Sequence, residues 1–173
     1  MESVASFSLL KSKKAYFVNI QNLRNDGDDI LFLCDSGASM SLIGLNTICG
    51  DSEDDCNALK SILEEEIRIN GIKEHDGHPK TVTRETLSVY PCKIDGISVS
   101  GTLPSTLYFH IFLGYINLPL IGFDYIDDCA FRHGIGGNID VIAIAASAGK
   151  RFYPDEVIDF NRVLDAYKST RTE

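Results

Sequence analysis

The sequence has no long basic run: Lys and Arg number 16 against 25 Asp and Glu, giving a formal charge of −9 and a pI near 4.8. Such an acidic chain has little to attract a phosphate backbone, so nucleic-acid binding is not expected. Long apolar runs are missing too. The longest, Ile111 to Phe123, is broken by Asn117 and Pro119 and is too short to span a bilayer, so no membrane partner is expected. A secretory h-region is also lacking. Between Met1 and Lys14 the basic residues Lys11, Lys13 and Lys14 follow a short apolar patch, the reverse of the signal-peptide order. No CxxC pair occurs. The five cysteines (Cys34, Cys49, Cys56, Cys92 and Cys129) are odd in number and read as reduced thiols of a cytoplasmic protein, not as a disulfide frame or zinc site. Repeats, low-complexity tracts and linkers are absent as well. What is present is an ordinary globular composition, 44% hydrophobic and 24% charged, in 173 residues. That length can bury one self-sufficient core.

Periodicity gives a mainly β domain with an inserted helix and a C-terminal helix. Val18 and Ile20 alternate with Asn19 and Gln21 in a strand from Ala15 to Leu23. Arg24 to Asp29 reads as a turn, and the apolar run Ile30 to Cys34 as a second, buried strand of the same hairpin. From Ser52 to Arg68 the period becomes helical: Ala58, Leu59, Ile62, Leu63 and Ile67 share a face, and Glu53, Asp54 and Asp55 suit the N-terminal dipole. Gly71 to Lys80 reads as a loop and Thr81 to Tyr90 as a strand. Asp95-Gly96, between Ile94 and Ile97, predicts a hairpin turn. Thr106 to Phe112 is a β run, and Leu118 to Ile121 a short apolar run ahead of Gly122 and a short helix. Asn138 to Ala146 fits a strand or a buried helix, and Pro154 to Ser169 an amphipathic helix with Pro154 in its first turn. The resulting plan is an N-terminal extension (1–15), a main domain (16–150) with a helical insertion at 52–68, and a C-terminal helix (151–173).

One segment carries chemistry. The apolar strand Leu31-Phe32-Leu33-Cys34 delivers Asp35, then Ser36, Gly37, Ala38 and Ser39. A carboxylate at the end of a buried strand is costly unless neighbours hydrogen-bond it, and Ser36 and the amides around Gly37 are in position to do so. Other readings are bland. Cys34 points to the opposite face from Asp35 and reads as a packed thiol. His75 and His78 have no third ligand nearby, so no metal is expected. His133 to Gly137 lacks the Lys-Ser/Thr of a phosphate loop.

Asp35-Ser36-Gly37-Ala38 after two apolar residues resembles the active-site signature of aspartic proteases. Leu120-Ile121-Gly122-Phe123-Asp124 resembles that family's later motif, in which two apolar residues and a glycine lead into a short helix. The two stand 87 positions apart, with the inserted helix accounting for the excess over compact viral members. Only one Asp-Ser/Thr-Gly triplet occurs, so the chain looks like a retropepsin, the class that works as a homodimer, and not like the two-copy pepsins.

The resemblance implies half of an acid protease built as a closed β-barrel, and a peptide or protein substrate with no cofactor. It implies a pair of Asp35 carboxylates sharing one proton, since like charges so close cannot both ionise easily. Ser36, Gly37 and Ala38 would support the loop, Gly122 would leave room beneath it, and a flap around Gly71, His75, Gly77 and His78 would cover the substrate. Many viral members have an acid after the Ala and an Arg after the later Gly. Here those positions hold Ser39 and Phe123. The dimer must therefore be held in another way, with Asn138 to Ala146 as the candidate intersubunit strand. The rival reading is an inactive or self-regulated dimer of the same type that binds a peptide or protein without cutting it.

Overall fold

The computed structural model describes residues 6–12, 15–24, 29–77, 87–102, 104–134, 138–144 and 148–170. Its strands are β1 (Phe7–Ser8), β2 (Leu10–Ser12), β3 (Ala15–Gln21), β4 (Asp29–Cys34), β5 (Leu42–Gly44), β6 (His75–Gly77), β7 (Leu87–Val99), β8 (Ser105–Phe112), β9 (Leu120–Ile121), β10 (Cys129–His133), β11 (Ile139–Ile144) and β12 (Ile158–Asp159). The helices are α1 (Leu45–Cys49), α2 (Glu53–Asn70), α3 (Phe123–Ile126) and α4 (Phe160–Ser169). The expected mainly β class holds.

Among the described residues the larger sheet has nine strands: eight follow the path β12-β7-β8-β5-β9-β4-β3-β2, and β6 pairs with β7 off that path. A further pairing of β3 with β7, at Ile20↔Val99 and Gln21↔Ser98, closes it into a barrel. Each strand of the ring β7-β8-β5-β9-β4-β3 thus has a neighbour on both sides, with β12 and β2 at the ends of the path, and alternation fills the inside. Val18 and Ile20 from β3, Ile30 and Phe32 from β4, and Leu107, Phe109 and Ile111 from β8 are all buried.

The Asp95-Gly96 turn expected from sequence is not a turn. β7 runs straight through it, with a register shift against β8 between Asp95 and Ile97. Gly96 sits there at φ 84, where an L side chain is strained. The apolar pattern gives the reason. Cys92 and Ile94 face the core before the shift, and Ile97 and Val99 after it. One extra residue changes the alternation phase, so a bulge keeps both halves facing inward where a straight strand would expose one of them.

The C-terminal region also differs from expectation. Helix α4 begins at Phe160 and not at Pro154. Before it, β12 pairs in parallel with β7 at Ile158↔Cys92. Asn161, in the first turn of α4, then takes up the bulge: its Oδ1 accepts from Asp95 N at 2.8 Å and its Nδ2 donates to Asp95 O at 3.0 Å. This segment is therefore part of the barrel wall. Phe160 meets Phe109 edge-on, with ring centres 5.3 Å apart, and Val163, Leu164 and Tyr167 complete the buried face. Helix α2 packs on α1 and α4 and buries Cys56, Leu59 and Leu63; Ser52 caps it, its side chain accepting from Asp55 N at 3.3 Å.

A separate three-stranded sheet of the described residues has the order β1-β11-β10, so Ile139–Ile144, within the segment expected as a strand or a buried helix, is a strand. Phe7 and Ser8 pair one side of β11, at Val141 and Asp140, and β10 pairs the other. Those positions are thus already occupied within one chain. Between this sheet and β3, β4 and α3 lies an apolar cavity of about 210 Å³, lined by Leu9, Val18, Cys34, Tyr125, Ile126 and Val141 among others, with Ser36 at its rim.

Candidate active site

The site begins where β4 ends. β4 and β9 run parallel, with Cys34 opposite Ile121. Leu33 N donates to Pro119 O and Asp35 N to Ile121 O, both at 2.9 Å. Asp35 is the first residue beyond the strand, half-buried, and its Oδ1 accepts from Gly37 N at 2.9 Å. Ala38 N closes the turn on Asp35 O at 3.1 Å. Ser36 and Gly37 are exposed and Ala38 is buried. The carboxyl group is thus held by backbone at the mouth of a tight turn, with its second oxygen outside these bonds.

The chain then passes over the start of α3. Phe123 N donates to Ala38 O at 2.8 Å. A side-chain carbon on Gly122 would lie 2.4 Å from Met40 O and 2.5 Å from its carbonyl carbon, so the two backbones touch where no Cβ fits. Beneath them Ser41, fully buried, accepts from Gly122 N at 3.1 Å and donates to Asp124 Oδ1 at 2.8 Å. Asp124 is 1% exposed. Burial raises its pKa, while hydrogen bonds from Tyr153, Ser41 and Tyr125 act the other way. Tyr125 N reaches Oδ1 at 2.9 Å and the Tyr153 hydroxyl reaches Oδ2 at 2.5 Å. Phe123 itself packs edge-on against Phe152, with ring centres 6.3 Å apart.

Of the flap candidates, His75 and Gly77 lie on β6, which pairs antiparallel with β7 at His75↔Val89 and Gly77↔Leu87. Gly71 ends α2 at φ 62, ahead of that hairpin. His78 lies outside the described residues. At the hairpin root, His75 Nδ1 is 2.8 Å from Nε2 of His110, which is 3% exposed and whose Nδ1 has no hydrogen-bond partner among the described residues. Among the described residues no three His, Cys, Asp or Glu gather into a metal-holding group. No helix of these residues is long and apolar enough to cross a membrane. Cys34, lining the apolar cavity, has its thiol pushed up to about 12 by burial, which keeps it protonated.

Sequence reasoning passed over Ser41, Asp124, His110 and Tyr153. For the first three a signal exists: each is a polar residue inside an apolar run, where burial demands a partner. Tyr153 has none, because its role depends on where a distant segment docks.

His110 gives a pH prediction. Burial first, and the neighbouring His75 second, pull its pKa from 6.5 down to about 3. The unfolded chain therefore binds a proton between those values that the folded chain refuses. The contribution of His110 is complete above pH 6.5 and is lost as pH falls toward 3. Asp124, shifted upward, acts in the opposite sense, so the two must be separated. His110→Phe should flatten the fall of the melting temperature between pH 6.5 and 4. Parallel melting profiles of variant and parent would rule the effect out.

No family model and no curated protein matches the chain. Among solved structures it is similar to a retropepsin-like aspartic protease from Rickettsia conorii, with a TM-score of 0.47 and 13% identity, over 82% of this chain and 92% of that one.

Proposed function

We propose that the chain is an aspartic endopeptidase that acts as a homodimer, hydrolysing peptide bonds with water activated by two Asp35 carboxylates, one from each subunit. The observation that carries this reading is the local build of Asp35. A carboxyl group stands at the end of an apolar strand, its own backbone N donating to Ile121 O and its Oδ1 accepting from Gly37 N, over a floor where Gly122 and Met40 meet backbone to backbone. Such a turn fixes an acid at a surface while leaving an oxygen for water or for a partner acid.

In the proposed reaction the ionised member of the pair takes a proton from a water held between the acids. The other donates its proton to the scissile carbonyl oxygen. Water oxygen bonds to the carbonyl carbon, giving a neutral gem-diol without an acyl-enzyme. Collapse breaks the C–N bond, the leaving nitrogen gains a proton from the dyad, and the gem-diol returns one. The β6–β7 hairpin serves as the cover that excludes water.

Digestion of a peptide library from acidic to neutral pH, with and without a pepstatin-type inhibitor, tests this. Inhibitor-sensitive internal cleavage is expected. A dimer that binds peptides and leaves them intact would instead establish the non-cleaving reading.

A further inference from the structure

We infer that Tyr153, far along the chain from the acidic motif, is a positioning residue for the Asp35 loop, acting through Asp124; as a statement about catalysis this rests on the protease reading above. Three observations converge on the segment that carries it. First, the segment is fastened to α3 and the residues after it. Phe152 meets Phe123, Gly149 N donates to Asp128 Oδ2 at 2.8 Å, and Arg151 pairs with Asp127 and Asp128. Second, the Tyr153 hydroxyl is bonded to Asp124, and Asp124 in turn to Ser41, whose backbone lies directly after the Met40 contact that roofs Gly122. Third, the Tyr153 ring lies 4.8 Å from His110, which touches His75 at the root of the β6–β7 hairpin. One side chain therefore abuts both the floor of the acidic loop and the base of its cover.

The chemistry explains why a phenol suits this place. Among the described residues no cation pairs with the buried Asp124, and the partners of its oxygens are neutral donors. Ser41 and Tyr125 N serve Oδ1, and Tyr153 serves Oδ2. Without the phenol, Oδ2 loses that donor. The carboxylate must then turn, take a proton or admit water, and each response shifts Ser41 and the loop it ends.

The test is Tyr153→Phe, which keeps the ring and deletes the donor. Amide exchange at 36–41 should quicken several-fold, and kcat should fall about tenfold with KM held within about twofold, since position and not substrate contact is lost. Ser41→Ala supplies the second arm. If both act through Asp124, the double variant should lose little more than the worse single one, whereas independent structural damage would multiply. Unchanged exchange at 36–41 in Tyr153→Phe, or multiplied losses, overturns the inference. Exchange is readable without any substrate. Faster exchange in a chain whose parent cuts no peptide would uphold the coupling and overturn the protease reading alone. Should Tyr153→Phe fold poorly, the same exchange measured in Ser41→Ala, with protection lost at 149–153, carries the test from the other end.

Discussion

Asp35→Asn is expected to lower peptide-bond hydrolysis by roughly 10⁴-fold or more, about 5.4 kcal/mol in barrier height, because the substitution removes both the base and the acid of the proposed step, one Asp35 in each subunit. The fold should not suffer. An amide has the size of a carboxyl group, its oxygen can still accept from Gly37 N, and the site is only half-buried. What it cannot do is take up a proton from water. A melting temperature within a degree or two of the parent, together with lost turnover, is the expected pair of results. Mixing adds a sharper reading. If each site needs two Asp35 side chains and subunits exchange, equal amounts of parent and variant leave about one quarter of the dimers fully armed, not one half. Activity that merely halves would mean that each chain works alone. Full cleavage by the variant would remove Asp35 from the mechanism.

The parts of this molecule that could be read from sequence are those where local chemistry and tertiary structure agree. The hairpin of β3 and β4 and the helix α2 follow from alternation, period and capping, because their buried faces are written in consecutive residues. The acidic loop was legible for a similar reason: strand, acid and turn are contiguous. The misreadings share a cause. Asp95-Gly96 is a good turn by local preference, yet Ile97 and Val99 must face the same core as Cys92 and Ile94, and tertiary burial converts the turn into a bulge. Pro154 is a good helix starter, yet Ile158 is buried against β7 and holds the chain extended as far as α4. Asp124, Ser41, His110 and Tyr153 meet through contacts between residues tens of positions apart. No window along the sequence contains them.

Gly122→Ala should destabilise the fold by about 3 kcal/mol, the upper end of overpacking costs, and Gly122→Val by more. At a typical few degrees per kcal/mol for a chain of this size, the alanine variant should melt roughly 10 °C below the parent. Backbone strain is not the reason, since Gly122 sits at φ −99, which any residue adopts. The reason is space. The added carbon would lie 2.4 Å from Met40 O, 2.5 Å from its carbonyl carbon and 2.9 Å from its nitrogen, all backbone atoms that no rotamer change can move away. Nor can the Met40 segment lift freely. It is tied on one side by Phe123 N to Ala38 O, and on the other by Ser41 to Gly122 N and Asp124. Relief must therefore come from separating the acidic loop from α3, which couples the loss of stability to displacement of Asp35. Gly50→Ala is the control that isolates this cause. Gly50 has open space around it but sits at φ 65, so its cost is one of backbone conformation, about 1–2 kcal/mol, with no bearing on the loop. The two variants should differ in kind as well as in size. Gly50→Ala should melt a few degrees lower with peptide cleavage intact, whereas Gly122→Ala should lose cleavage at temperatures where it is still folded. Equal melting losses and equal activities would mean that the Gly122–Met40 contact gives way easily and does not set the position of the acid.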